Sequence, residues 1–184
     1  AQSRVFEERF MRYSLPYRVY GGLKFYDRRE IKDLVAYLRV LDNPRDDVSL
    51  MRVINTPRRG IGDATLQKLA AEAARRGESV MDVIIDLDSS GLDARVKKKL
   101  EAFSALIARL IALSRVARPS ELIETIIDET GYALHLENGP GENVQARLEN
   151  LDEFIASVAE YEAGAPDASL SGFLETVSLS TDMD

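Results

Sequence analysis

The sequence predicts a mainly α-helical protein that opens with a short helix and a strand. Apolar residues recur at helical spacing over most of its length, as Ile31, Leu34 and Leu38 do before Pro44. Glycine, proline, asparagine and serine gather between such segments, as they do in connections between helices. Only residues 17–20 alternate like a strand. Because nothing else in the sequence continues a sheet, the partner strands of this segment are expected to lie outside it.

The elements are expected in a simple order. Val5, Phe6 and Phe10 predict a helix within 2–13, which leads into the strand 17–20. From there on the pattern is helix after helix. The expected helices lie within "DRREIKDLVAYLRVLDNP", "DDVSLMRVINTP", "DATLQKLAAEAARRG", "SVMDVIIDL", "LDARVKKKLEAFSALIARLIALSRVA", "SELIETIIDETG", "NVQARLENLDEFIASVAEYEAG" and "SLSGFLETVSL".

Several of these helices have recognisable ends. Asp27 with Glu30 three residues later fits an N-terminal capping box. Asp63 fits the N-cap of a later helix, and Gly77 fits its end. The sequence therefore predicts an all-α domain over about 25–180, with an α/β segment in front.

Charge is divided unevenly along the chain. Residues 1–69 hold 14 Lys and Arg against 9 Asp and Glu, whereas residues 70–184 hold 10 against 22. Because an acidic surface repels a polyanion, only the basic part is expected to meet nucleic acid, although a merely solvated surface fits equally well. The lack of cysteine and of any apolar run near the length of a membrane helix favours an intracellular protein with no membrane partner.

The most specific local signal is the turn in "TPRRGIGDATLQKL". Gly60 and Gly62 let backbone amides approach an anion, and the helix that follows directs its positive end to the same place. Arg58 and Arg59 can add charge-assisted bonds to phosphate oxygens. The pattern is similar to the hairpin of helix-hairpin-helix DNA-binding proteins, which holds the DNA backbone without reading bases. The alternative is a tight interhelical turn with Ile61 in the core.

A second signal surrounds the aromatic pair Phe25 and Tyr26. Lys24, Arg28 and Arg29 flank the two rings. Basic residues interleaved with aromatic ones suit a nucleic-acid strand, because rings can stack on bases. A ring pair before a helix is more often a hydrophobic anchor, and this interpretation is favoured.

The residues that usually carry enzyme chemistry are sparse. His135 is the only histidine, which excludes HExxH zinc sites, and it is expected to be a half-buried packing residue near a helix end. No GxxxxGK loop followed by Ser or Thr is present to bind a nucleotide. The carboxylates after residue 119 sit at helix-surface spacing, which favours a solvated face. "VKKKL" (96–100) is a compact basic patch that could touch a duplex, although a solvated helix start is favoured.

Long stretches of the sequence resemble one family of DNA helicases. "AQSRVFEE" (1–8), "YRVYGGLKFYDRREIKDLVAYLRVL" (17–41) and "VINTPRRGIGDATLQKL" (53–69) follow one another in order, with "ARLENLDEFI" (146–155) further on. Together they resemble UvrD/PcrA/Rep-type superfamily 1 helicases, from the middle of the second motor domain through its inserted accessory subdomain, called 2B. The resemblance covers nearly the whole chain, is strongest over 1–69, and is closer to UvrD and PcrA than to the RecB-like branch.

The resemblance implies an organisation and a function. Residues 1–24 would be a remnant of the second RecA-like motor domain, 25–180 the helical 2B subdomain, and 181–184 the start of the return toward the motor. The family translocates 3′ to 5′ on one DNA strand, with ATP and Mg²⁺ between two motor domains, and 2B rotates as a unit and touches the duplex. DNA, the other motor domains and repair proteins are the implied partners, in the bacterial cytoplasm at the nucleoid.

Site residues carry over by position. Arg4 matches a residue that contacts the translocating single strand, and Arg59 with the turn "GIG" (60–62) matches the segment that grips the duplex. Arg58 adds charge beside it. Arg28 and Arg29 match the junction between motor and accessory subdomain and are weaker candidates for DNA contact. Lys24 is a candidate from the pattern of basic and aromatic residues.

The family's ATP-binding motifs do not occur in this sequence. Its nucleotide-binding lysine, acidic magnesium-binding pair, arginine fingers and TxHxxKGLE stretch have no counterpart here. The chain is therefore expected to be a piece of a longer protein and not to hydrolyse ATP or unwind DNA alone, and no cofactor is expected in it. The alternative function is a protein-interaction module that docks partners through residues 119–184, which hold one arginine against 15 Asp and Glu.

Overall fold

The computed structural model describes residues 22–165 and 167–182 of the chain. These described residues form ten helices and no strand, which confirms the predicted mainly α class. The predicted helix in 2–13 and the strand 17–20 lie outside them. The helices are α1 (Gly22–Phe25), α2 (Arg29–Asp42), α3 (Asp47–Val53), α4 (Asp63–Arg76), α5 (Val80–Ile85), α6 (Ala94–Ser114), α7 (Pro119–Thr130), α8 (Tyr132–Asn138), α9 (Val144–Gly164) and α10 (Leu170–Asp182).

Several helix ends follow from local residues. The Asp46 carboxylate accepts from the Ser49 amide at 3.1 Å at the start of α3, and Asp93 accepts from the Val96 amide at 2.8 Å at the start of α6. Such caps satisfy amides that have no partner within the helix. Helix α4 ends at Gly77, whose φ of 68° places it in the left-handed region, as the sequence predicted.

The start of α2 differs from the prediction. The helix begins at Arg29, and the capping box expected between Asp27 and Glu30 is wrong. The Glu30 carboxylate is buried and accepts from the side-chain amide of Asn150 at 3.0 Å. A capping box would need the Glu30 carboxylate at the start of the helix, but this carboxylate instead binds Asn150, which is far away in sequence.

One compact unit takes its described residues from 22–35 and 117–182. Helix α9 packs against α7 and α8. Its core contains a series of three rings: the Phe25 and Phe154 centroids lie 6.4 Å apart, and those of Phe154 and Phe173 lie 5.9 Å apart. Aromatic pairs at these separations add to the stabilisation from apolar burial. The rings therefore connect α1, α9 and α10.

Buried polar side chains also connect α2 to α8 and α9 in this unit. The Tyr132 hydroxyl donates to the Asp33 carboxylate at 2.6 Å, and Arg28 donates to the Asn150 side-chain oxygen at 2.6 Å. Burial, with the neighbouring Asp33 carboxylate, raises the pKa of Tyr132 well above its ordinary value. The hydroxyl therefore keeps its proton and remains a donor to Asp33.

The other compact unit comprises residues 36–116. Helix α5 packs against α3, α4 and α6, and the Val80 amide donates to the Asp47 carboxylate at 2.9 Å. The side chains of Tyr37, Ile61 and Phe103 are at most 1 % exposed. The core of this unit therefore contains the middle residue of the "GIG" turn.

Helix α5 provides a prediction about stability and pH. Ser79 and Asp82 form a capping box, and the hydrogen bonds from Ser79 lower the pKa of the Asp82 carboxyl. Because the folded-state pKa is depressed, this stabilisation is present above the ordinary carboxyl pKa and is lost as the pH falls through the folded-state value. We expect Ser79→Ala to lower the unfolding free energy by about 1 kcal/mol near neutral pH. Urea unfolding should show the difference from wild type shrinking in acid, and a difference that is constant with pH would contradict the assignment.

Candidate nucleic-acid interface

The turn 58–62 joins α3 to α4 through two differently shaped glycines. Gly60 has a φ of 77°, in the left-handed region that favours glycine. Gly62 has extended backbone, with φ −83° and ψ 176°, and is the N-cap of α4. The chain thus reverses at Gly60 and enters the helix at Gly62.

Asn55 holds the inner side of the turn. Its side-chain oxygen accepts from the Arg59 amide at 2.7 Å and from the Ile61 amide at 3.2 Å. The Ile61 side chain is fully buried, as the structural interpretation of the turn predicted. Alternate amides are therefore bound from within, and the turn is a fixed shape and not a loose loop.

Arg59 is directed into the unit. One of its terminal nitrogens donates to the carbonyl oxygens of Val53 at 2.7 Å and Ile54 at 3.0 Å, and the other donates to the Tyr37 hydroxyl. The guanidinium carbon also lies 5.0 Å from the centroid of the Phe103 ring, a cation–π geometry. These bonds satisfy carbonyls at the end of α3, which has no further helical turn to do so. Arg59 therefore ties the turn to α2, α3 and α6.

Helix α4 begins without a side-chain cap. Asp63, which the sequence predicted as the N-cap, is instead the first helical residue, because Gly62 takes the cap position. Among the residues that the structure describes, no side chain accepts from the amides of the first turn, 63–65, which also lack partners within the helix. A helix start of this kind presents several N–H groups and a partial positive charge to an anion.

Two cations accompany this open helix start. Arg58 is exposed, so its guanidinium is presented to solvent next to the turn. Lys99, on α6, donates through Nζ to the Gly60 carbonyl oxygen at 3.3 Å. A Cβ atom built on Gly60 would lie 2.6 Å from that Nζ, so the lysine stem passes close to this glycine, which is favoured here by its positive φ. The structure thus brings part of the "VKKKL" patch to the "GIG" turn.

The other predicted site residues lie in the first unit. Lys24 and Arg29 are exposed, and the Arg28 guanidinium lies 5.5 Å from the Phe25 ring centroid while it binds Asn150. Phe25 is 1 % exposed and Tyr26 8 % exposed, which confirms that the pair is a hydrophobic anchor and not a surface for stacking bases. Arg4 lies outside the described residues. Contact of any of these cations with DNA stays a prediction.

The residues that the sequence analysis considered for enzyme chemistry form no metal-binding group among the described residues. His135 is half-buried in α8, with its ring centroid 5.4 Å from that of Tyr132, which confirms its predicted packing role. Within 22–165 and 167–182, no three His, Cys, Asp or Glu side chains are arranged to hold a metal ion. In the same residues, no helix is both long and apolar enough to cross a bilayer.

Sequence reasoning missed three residues at the turn. Asn55 follows the end of α3, where asparagine commonly bonds to the backbone of a turn, and this signal could have identified it. Tyr37 has no local signal, since its contact with Arg59 spans 22 residues. Lys99 could have been singled out from Lys97 and Lys98, because both of these lie one helical turn from Glu101 whereas Lys99 does not.

The sequence of the chain is similar to those of known DNA helicases. The chain matches the UvrD-like helicase C-terminal domain over residues 1–184. It is 41 % identical over 186 aligned residues to an ATP-dependent DNA helicase PcrA of Staphylococcus epidermidis, covering 100 % of this chain and 26 % of the relative. It is 40 % identical to proteins of the same name from Bacillus subtilis, over 184 residues with 100 % and 25 % covered, and from Staphylococcus aureus, over 186 with 100 % and 26 % covered. The chain thus spans about a quarter of the length of these relatives, and it belongs to the UvrD-like helicase C-terminal domain family.

Proposed function

We propose that this chain is the duplex-binding accessory part of an ATP-dependent 3′–5′ DNA helicase and that the turn 58–62 grips the DNA backbone. Membership of the UvrD-like helicase C-terminal domain family supports the proposal that the chain is a part of a DNA helicase. The observation that carries the finer proposal is the uncapped start of α4 at Gly62. A helix without a cap leaves its first amides for a phosphate oxygen, and the exposed Arg58 adds a charge-assisted bond.

The proposed grip does not read sequence. Its donors are backbone amides and a long cationic side chain, which bind phosphate and carry no information about bases. The exposed Asp63 carboxylate lies at the first position of the same helix and opposes an incoming phosphate. With only two or three phosphate contacts, we expect weak binding, with a Kd of about tens of micromolar at low salt.

The proposal assigns the rest of the chain by position. Residues 1–24 would belong to the second motor domain, where Arg4 would meet the translocating strand, residues 25–180 would form the 2B subdomain, and 181–184 would lead back toward the motor. ATP and Mg²⁺ would be bound by parts of a longer protein. Among the residues that the structure describes, no three His, Cys, Asp or Glu side chains are grouped to hold a metal ion.

The proposal is tested by fluorescence anisotropy with a short labelled duplex that carries a 3′ single-stranded tail, at several low salt concentrations. We expect binding that weakens with salt and that drops about fivefold or more in Arg58→Ala, because one charge-assisted contact is lost. The matched control is Arg109→Ala, which removes the same charge at an exposed position about 15 Å further along the α6 axis than Lys99. Equal behaviour of the two variants would contradict the proposed grip.

The alternative is that the chain docks partner proteins through its acidic half. The observation in its favour is that Glu121, Glu124, Asp128 and Glu129 are all exposed on α7. The same salt series separates the two functions. Each phosphate contact steepens the fall of log affinity with log salt concentration by about 0.9. Binding of a partner that buries apolar surface responds little to salt.

A further inference from the structure

Lys99 is a lysine without an acidic neighbour. The positions one helical turn away from it on α6 hold Arg95, Val96, Ala102 and Phe103. Carboxylates at such positions usually pair with lysines on a helix surface, as Glu101 can with Lys97 and Lys98. Within the described residues, the Lys99 ammonium bonds only to the Gly60 carbonyl oxygen, at 3.3 Å.

The contact with Gly60 fixes where the Lys99 charge lies. The stem and ammonium follow the bare side of Gly60, where an added Cβ would come within 2.6 Å of Nζ and 3.2 Å of Cε. An ammonium has three donors, and the Gly60 carbonyl accepts one of them. Lys99 is half-buried, so its charge is held at the surface of the turn and the remaining donors are available to a ligand there.

We propose that Lys99 is a second phosphate-binding side chain of the turn 58–62, contributed by α6 to the grip that the turn makes on duplex DNA. This inference rests on the proposed function and extends it to a helix that is about 40 residues away in sequence. The contacts of the three cations indicate a different role for each. Arg59 positions the turn from inside, whereas Lys99 and Arg58 bind phosphate.

The geometry suits a lysine at this place. The ammonium is a compact point charge on a flexible stem, so one donor can stay on the Gly60 carbonyl while the others reach a phosphate oxygen. A carboxylate partner would compete with phosphate for these donors, and none is present among the described residues. The Lys99 side chain therefore contacts the turn and has no carboxylate partner among the described residues.

The test compares Lys99→Met with Lys98→Met in the full 184-residue chain. Both variants remove one positive charge from neighbouring positions of α6, and Met keeps an apolar stem against Gly60. With the same tailed duplex, we expect Lys99→Met to bind about fivefold or more weakly and to lower the salt slope by about 0.9. Lys98→Met is expected to stay within about twofold of wild type, because it changes only the distant field. Circular dichroism melting of each variant reports whether the fold is kept.

Lys99→Arg separates charge from structure. It keeps the cation and is expected to bind within about twofold of wild type. If Lys99→Arg loses binding as Lys99→Met does, Lys99 acts through structure and not through its charge. If Lys99→Met matches Lys98→Met while Arg58→Ala still weakens binding, the turn binds DNA without Lys99. Either outcome overturns this inference. If the wild-type chain does not bind the duplex, or if Arg58→Ala, Lys99→Met and the two controls all bind alike, the proposed function itself fails.

Discussion

Replacing Gly62 by aspartate is expected to stabilise the fold and abolish duplex binding in the same molecule. The backbone at Gly62 suits any residue, and no atom lies within 4 Å of an added Cβ. An aspartate there would accept from the open amides of α4 and complement the helix dipole, for a gain of about 0.5 kcal/mol. Its carboxylate would occupy the donors that a phosphate needs and repel the phosphate charge. We expect at least a tenfold loss of affinity, about 1.4 kcal/mol.

Urea unfolding and anisotropy on the same samples measure the two effects of Gly62→Asp. Gly62→Ser serves as a neutral version, since its hydroxyl also caps the helix but adds no charge. Ala108→Glu adds one negative charge at an exposed position of α6 and should change neither quantity by much. Binding by Gly62→Asp at the wild-type level would mean that phosphate does not use the start of α4.

Removing the Arg59 side chain is expected to cost far more stability than removing its neighbour. Arg59→Ala leaves the carbonyls of Val53 and Ile54 without this donor and exposes the ring face of Phe103. Losing several charge-assisted bonds and a cation–π contact should lower the unfolding free energy by about 2–4 kcal/mol. The exposed Arg58 should change it by less than about 0.5 kcal/mol when replaced by alanine.

Chemical unfolding of the two alanine variants side by side checks this difference. If Arg59→Ala melted like wild type yet lost duplex binding, Arg59 would be a phosphate ligand and not a positioning residue. The measurement also decides how a variant with both Arg58 and Arg59 replaced by alanine should be interpreted. A loss of binding in a chain that lacks both arginines would mix unfolding with loss of contact, so the single variants are required.

The helices could be predicted from the sequence because their causes are local. Apolar spacing, Asp93 and Gly77 act within one or two turns of chain, and Ile61 is the one apolar side chain between the two glycines of the turn. The two capping assignments that failed have different causes: Asp63 loses the cap position to the adjacent Gly62, whereas the failure at α2 involves a residue far away in sequence. Glu30 does not cap α2 because Asn150, on α9, takes its carboxylate.

The roles of the two arginines could not be separated from sequence for the same reason. Arg58 and Arg59 are adjacent and chemically identical, and only the left-handed Gly60 with the internal bonds to Asn55 decides which of them points inward. Lys99 likewise meets the turn only because α6 packs in the same unit. The residues of the turn made it a candidate in the sequence, the family resemblance matched the same residues, and the geometry suggests a different role for each of its side chains.

A guanidinium that is bonded inside the protein still carries its charge. The partners of the Arg59 guanidinium are neutral carbonyls, a hydroxyl and a ring face, and none of these carries a negative charge that would cancel its own. Its field therefore extends through the turn toward an approaching phosphate, across protein matter that screens it less than salt water does. Arg59 thus both stabilises the turn and provides a fixed positive potential beneath the surface where a polyanion would bind.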